Sequence, residues 1–421
     1  MVEADIGARI VARCRSLGAR PFSESSDILF RPWLSDAFMN AQAQVDGWMR
    51  EAGMQTRQDA AGNLVGRLEG ATSDAPAVVF GSHIDTVPNG GCFDGLLGVV
   101  LGISVVEALS RAGRRLPFAI EVIAFGDEEG SAFPVSMITS RAVAGIVDPA
   151  DFDLSGPSGT VTQTMRARGL DSGALGEAAR ASTDVLAFVE AHIEQGPVLE
   201  ALDRPVAAVQ AIAAQRRGTV QIRGVAGHAG TLPMAMRQDA LAAAAEAILL
   251  IERVACDLPE AADSGLVATV GRMDVGPGAT NVVPDAVSFS LDVRAGDRRM
   301  RDEAVRQIES GFAAIAQRRR VSIECTWLQD LKGAACDPVL VSLMQEAALE
   351  AGGTGMTLVS GAGHDTMVMA QRWPSVMLFV RSPGGISHHP DETVLESDVA
   401  IAHRALLGFV DRFAQCLKVS P

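Results

Sequence analysis

The chain changes rhythm near residue 212, and that change constrains its fold more than any other feature. Before it, short β-branched apolar runs alternate with helix-length stretches. "APAVVFGSH" (75–83) reads as a buried strand, and "GLLGVVLGISVVEALSRAG" (95–113) as a helix stopping at a glycine after arginine. "LPFAIEVIAFGDEEG" (116–130) is a second strand, ending in acids. "STDVLAFVEAHIEQGP" (182–197) combines a helix-like stretch with a turn bearing histidine and acids. This alternation predicts an α/β layer architecture with a mostly parallel sheet. Ligands of such sheets bind outside the carboxyl ends of the strands.

Beyond the break, "GTVQIRGVAG", "GLVATVGRMDV", "DAVSFSLDVR" and "RVSIECTW" read as strands. "MRQDALAAAAEAILLIERVAC" and "DRRMRDEAVRQIESGFAAIAQRR" read as helices. Their order is β-α-β-β-α-β, a ferredoxin-like split unit. The predicted organisation is therefore one α/β domain in two parts, 1–211 and 329–421, with a ferredoxin-like α+β domain inserted over 212–328. A length of 421 residues agrees with two cores rather than one.

Composition narrows the partners. Against 36 basic residues stand 51 acidic ones, a formal net charge of −15, which argues against nucleic acid and against an anionic membrane. Residues 96–106 form an apolar stretch broken by glycine and shorter than the roughly 20 residues of a membrane span. No signal peptide is expected at the N-terminus. Six cysteines without a C-x-x-C pair predict neither a disulfide framework nor a zinc knot, so a cytoplasmic location is expected.

The chemistry-bearing residues gather in turns. "GSHIDTVPNGGCFDG" (81–95) holds His83, Asp85 and Asp94 among glycines. Residues 83 and 85, two apart on extended chain, face the same way, so Asp85 can orient the His83 ring. The bland alternative is a solvated loop. "GDEEGSAF" sets Asp127, Glu128 and Glu129 in a row behind an apolar strand. Buried together they repel one another, a cost that a divalent cation resolves; otherwise they form a solvated acidic turn. "EAHIEQGP" adds His192, and "GGISHHPDE" adds His388 and His389. Imidazoles with carboxylates and no cysteine make a ligand set for zinc, manganese, cobalt or nickel.

Seven segments in order, "GSHIDTVPNGGCFDG", "FGDEEGSAFP", "AHIEQGP", "GVAGHAGTLPM", "TNVVPDAVSFSLDVR", "SGAGHDTM" and "GGISHHPDE", resemble the successive motifs of the amidase/hydantoinase/carbamoylase family. That family, within the dinuclear zinc-peptidase superfamily, includes N-carbamoyl-L-amino acid hydrolases, allantoate amidohydrolases and β-ureidopropionases. The resemblance implies a catalytic domain with two divalent metal ions per subunit. It implies that His83 and His192 bind one ion, Glu129 and His388 the other, and that Asp94 bridges them. His388 is preferred to His389 by its spacing in the family's S-H-x-P-x-E pattern. Asp85 supports His83, and Glu128 is the general base. The inserted domain is implied to be a lid and a dimerisation domain, with His228 reaching the active site of a homodimer partner to polarise the scissile carbonyl. Asn281 and Arg294 are implied to hold the substrate carboxylate, and Gln195 to be a further substrate contact.

The activity implied is hydrolysis of the carbamoyl C–N bond of an N-carbamoyl-L-amino acid, a small carboxylate-bearing ureide. Alternatives are allantoate amidohydrolysis, an N-acyl amino acid amidase or dipeptidase, and an inactive small-molecule binding protein. The chain has no tyrosine, so no phenol can serve as acid or oxyanion donor. Arg294 has a structural alternative, pairing with an acid such as Asp292 or Asp297. His364 and Asp365 are either a buried structural pair or a contact behind the ligands. Cys92, the "ITSRA" run at Arg141 and Arg381 depart from the family pattern, and Arg381 is expected to add positive charge near the metal-ligand turn.

Overall fold

The computed structural model describes residues 4–419. The chain forms two compact units: one runs through Gln210 and includes Cys336–Leu358 and the chain from His364 onward, and the other is Ala211–Ala335 with Val359–Gly363.

The first unit is built on a mixed sheet whose middle strands, Ala119–Phe125, Ala77–His83, Val185–Ile193 and Ser375–Val380, lie side by side and parallel. Leu64–Leu68 and then Gln55–Gln58 extend one flank antiparallel, and residues 206–209 pair antiparallel with the other. Three of these middle strands are buried at every residue, and Val185–Ile193 at all but one. A strand buried on both faces shows no alternation. The helix-like stretch expected at 185–193 is therefore a strand, because a continuous apolar run carries no period that separates the two. Helix Leu96–Arg111 lies against the sheet, and a Cβ at Gly98 would sit 2.1 Å from the Ala191 carbonyl oxygen, so only glycine permits that approach. Each middle strand leads at its carboxyl end into a segment of interest: His83, Asp127–Glu129, His192, and 381–388.

The second unit carries an antiparallel sheet in the order Val267–Thr269, Ala286–Ala295, Ala214–Arg223, Ser322–Leu331, with Met273–Gly276 also on Ala286–Ala295. The expected single strand at 265–275 is two short ones, parted where the backbone amides of Gly271 and Arg272 donate to Ser290 Oγ instead of continuing the ladder. Helices Ala240–Asp257 and Arg298–Arg319 start at aspartates, Asp239 and Asp297, whose side chains accept from the first-turn amides. Strand Ala286–Ala295 alternates cleanly. Val287, Phe289, Leu291 and Val293 are buried in the core shared with the helices, while Ser288, Ser290, Asp292 and Arg294 face the other way. Among the described residues no helix is long and apolar enough to cross a membrane.

Candidate metal centre

Hydrogen bonds to main-chain carbonyls assign the histidine tautomers. His83 Nδ1 lies 3.1 Å from the Asp85 carbonyl oxygen, and His192 Nδ1 lies 2.9 Å from that of Ile193. A carbonyl only accepts, so both Nδ1 atoms carry a proton, which leaves Nε2 of each ring as the nitrogen that can bind a cation in place of a proton. His192 Nε2 is 3.0 Å from Asp94 Oδ1, and His83 Nε2 is 3.6 Å from the same oxygen and 3.8 Å from Glu128 Oε2. His192 Nε2 also accepts from the Gly95 amide at 3.3 Å. Asp94 Oδ1 is buried without a hydrogen-bond partner, as is Glu129 Oε1. On the opposite side, His388 Nε2 is 3.2 Å from Asp94 Oδ2 and 3.6 Å from Glu129 Oε1.

Among the described residues three groups of potential ligands follow, one of them Glu190, His192 and His364 behind the site, and the other two sharing Asp94. The ligating atoms of His83, Asp94 and His192 all lie within 4.8 Å of one another, and so do those of Asp94, Glu129 and His388. Asp94 belongs to both, as a carboxylate spanning two cations would. The donor set suits a divalent ion of the zinc, manganese, cobalt or nickel type, and the orphaned carboxylate oxygens are what such ions would satisfy.

Local backbone geometry holds these atoms in place. Gly95 has φ +65°, and a Cβ there would lie 2.5 Å from the His83 ring. Glu392 Oε1 accepts the amides of Phe93 (2.9 Å) and Asp94 (3.0 Å), fixing the turn that presents Asp94. The Asp85 carboxylate accepts from the amides of Glu128 and Glu129, each at 3.3 Å, and stands 3.6 Å from His83 Nδ1. Asp85 thus holds the glutamate pair as well as facing the ring. Gln195, at φ +58°, donates Nε2 to Asp94 Oδ2 (3.1 Å) and Ser387 Oγ (3.0 Å), while its Oε1 is buried without a partner. His389 turns away and accepts from the Asp391 amide, so His388 is the imidazole beside Asp94.

The electrostatics follow from burial and crowding. Burial opposes charging of the His83 ring, but the carboxylates of Asp85, Asp94 and Glu128 outweigh it and hold its pKa well above the usual imidazole value. Hydrogen bonding to Asp94 lifts His388 to about 9. Burial, reinforced by the Asp94 charge, pushes Glu129 up to about 7. Burial also raises Glu128 well above the carboxylate range; His83 opposes this, while Glu129, Asp365 and Asp85 add to it. An elevated carboxyl pKa suits a group that must accept a proton and return it.

Residues behind the ligands complete the picture. His364 packs edge-on against His192 with ring centroids 4.4 Å apart, and burial keeps its pKa well below the usual value. Asp365 is fully buried, and burial with the neighbouring Glu190 raises it to about 8. Three positioning roles were not read from the sequence. Glu392 served there only as motif spacing. Glu194 closes the turn after His192 by accepting the amides of Val198 (2.7 Å) and Leu199 (2.9 Å). Arg31, fully buried, donates to the carbonyls of Ile84 (2.6 Å), Leu17 (2.9 Å) and Phe22 (3.0 Å), pinning the segment that carries Asp85. Its only sequence signal is a lone arginine in the apolar run "LFRPWL". Arg381 is corrected: Asp398 grips its guanidinium from two sides (2.7 and 3.0 Å) and Asp203 takes a third nitrogen (2.8 Å), so it brings no free positive charge to the metal-ligand turn.

The remaining site residues lie in the second unit. His228 is exposed and accepts from the Gly230 amide at 3.0 Å. The next residue, Ala229, donates to the Asn281 carbonyl at 2.9 Å, and His228 pairs with Val282, so Asn281 lies immediately before the strand that adjoins His228. Arg294 forms a two-point pair with Asp292 (3.1 and 2.9 Å) and donates to the Gly361 carbonyl (2.6 Å). Asp292 is also held by Arg217 (2.9 Å), while Asp297 instead caps its helix.

Comparison with known proteins gives a consistent set of likenesses. The family model described as Peptidase family M20/M25/M40 matches residues 79–412. The N-carbamoyl-L-amino acid amidohydrolase of Geobacillus stearothermophilus is 41% identical over 377 residues, covering 89% of this chain and 91% of that one. A probable allantoate deiminase of Oryza sativa subsp. japonica is 39% identical over 438 residues, covering 96% of this chain and 88% of its own. Among solved structures, an amidase of the hydantoinase/carbamoylase family from Burkholderia multivorans superimposes with a TM-score of 0.87 at 32% identity, over 96% of this chain and 97% of that one. A Bacillus subtilis protein described as a dinuclear metal-binding peptidase shares the fold at 15% identity, with a TM-score of 0.59.

Proposed function

The chain belongs to the M20/M25/M40 peptidase family and is a hydrolase of amide C–N bonds, and from that premise we propose that it cleaves the ureido C–N bond of an N-carbamoyl-L-amino acid. The observation that carries the reading is the Asp94 carboxylate shared between two ligand groups, with Glu128 beside them. Two divalent cations held by His83, His192, Asp94, Glu129 and His388 would supply the Lewis acidity that polarises the ureido carbonyl and acidifies a water.

The chain's own residues then act in sequence. Arg294 and Asn281 hold the substrate carboxylate, which suits the forked donors of arginine. Gln195 contributes a further contact through its unpartnered Oε1. Glu128 takes a proton from the attacking water as a C–O bond forms at the ureido carbon. His228 of the partner subunit donates to the carbonyl oxygen as it gains charge. Glu128 returns the proton to the departing nitrogen as the C–N bond breaks. The products are the free amino acid and carbamic acid, whose remaining C–N bond breaks spontaneously in water to give carbon dioxide and ammonia. We assign the second unit the roles of lid and dimerisation domain, with His228 serving the partner's centre in a homodimer, and we place the enzyme in the cytoplasm without a nucleic acid or membrane partner.

A second reading, allantoate as the substrate, is favoured by the allantoate deiminase relatives, whose alignments span 95–96% of this chain. Both substrates are linear ureides carrying a carboxylate. Ammonia release is to be measured with metal-loaded protein on N-carbamoyl-L-amino acids, N-carbamoyl-β-alanine and allantoate, with Glu128→Gln as control. Turnover of carbamoyl amino acids alone, lost in the variant, supports the proposal. Turnover of allantoate alone replaces it with the second reading. Silence on every ureide rejects both and directs the search to N-acyl amino acids and dipeptides.

A further inference from the structure

The strands that end in His83 and His192 do not stay paired to their tips. Their backbone ladder runs from Ala77 opposite Val185 to Phe80 opposite Val189, and stops there. The outer neighbours remain laddered to the end, His83 to Phe125 on one side and Val380 to Ile193 on the other. The gap therefore opens between the two histidines, whose rings stand 5.8 Å apart.

One side chain crosses that gap. Glu190, fully buried, lies two residues before His192 and so on the same face of its strand. Its Oε1 accepts from Ser82 Oγ at 2.8 Å, on the residue just before His83. Its Oε2 accepts from the Thr366 amide at 2.9 Å and from Thr366 Oγ1 at 2.6 Å. Thr366 follows His364, the ring packed against His192. A carboxylate within an apolar strand is costly unless fully hydrogen-bonded, and an aliphatic residue avoids that cost. What the carboxylate adds is a three-way tie among the His83 strand, the His192 strand and the His364 turn.

We infer that Glu190 is a positioning residue that sets the spacing of His83 and His192, and thereby the affinity of the cation held by that half of the centre and not the half formed by Glu129 and His388. The second half has its own supports, since Asp85 holds the amides of the glutamate pair and Glu392 holds the turn of Asp94. The inference rests on the metal reading given above.

The test is Co(II) binding by equilibrium dialysis to chelator-treated full-length protein, in two backgrounds. Glu129→Gln disables one half and leaves the His83/His192 half. His192→Ala does the reverse. Glu190→Gln keeps the shape and removes the charge and one acceptor. It is expected to weaken Co(II) binding about 10- to 100-fold in the first background, the range for partners that orient metal ligands, and to leave the second within about twofold. Ser82→Ala cuts a single tie and is expected to act in the same direction more weakly, which keeps the test open should Glu190→Gln fold poorly. Equal losses in both backgrounds, or none in either, overturn the inference. Absence of Co(II) binding in both backgrounds before Glu190 is changed overturns the metal reading and this inference with it.

Discussion

The two units treat their polar residues in opposite ways. In the first, His83 and His192 are buried at the ends of buried strands with Asp85 and Asp94 buried beside them, and Asp94 Oδ1 has no hydrogen-bond partner. In the second, His228 is exposed, and Arg294 lies on the outward face of its sheet and is already satisfied by Asp292. The difference separates two tasks. The first unit holds its charged groups at the carboxyl ends of buried middle strands, at the cost of their desolvation. On the proposed function, the groups that meet the substrate sit where partners can be exchanged.

The comparison can be broken at several points. The largest effect is expected at Glu128. Glu128→Gln should lower kcat by about 100- to 10,000-fold, the span of general acid–base catalysis, with bound metal per chain unchanged; a loss of metal on the same scale would make Glu128 a ligand instead of the base. In the second unit, Arg294→Ala should act mainly on KM, raising it by about tenfold or more, as expected where binding is uniform between ground and transition states. An unchanged KM would leave Arg294 as a structural partner of Asp292. The smallest effect sharpens the contrast in burial. His403 lies in helix Glu396–Val419, where burial, aided by the nearby Arg9 charge, lowers its pKa to about 4. The unfolded chain, with an ordinary value of about 6.5, binds the proton more readily, so His403 costs stability as pH falls from about 6.5 towards 4. Thermal unfolding of His403→Gln across that range should show a flatter pH dependence than the parent, and an equal slope would contradict it.

Legibility in the sequence followed the same division. Segments whose chemistry is local were readable. The turn at 81–95, the acids at 127–129 and the strong helix after Asp239 announce themselves by composition and period. Tertiary context decided the rest. The run "VLAFVEAHI" has no alternation because both of its faces are buried, so it was read as helix-like. Glu392 reaches Asp94 across nearly three hundred residues, and Glu190 reaches Ser82 across more than a hundred, so neither leaves a local signature. Arg381 looked like a free charge because Asp398 and Asp203, its partners, are distant in sequence.

The most direct test of the account is a metal titration of chelator-treated protein, reading bound ion and ammonia release from a carboxylate-bearing ureide in the same samples. The account predicts no release without metal and full release as binding approaches two ions per chain. Full activity with no bound metal, or saturation at two ions with no ureide turned over, would contradict it.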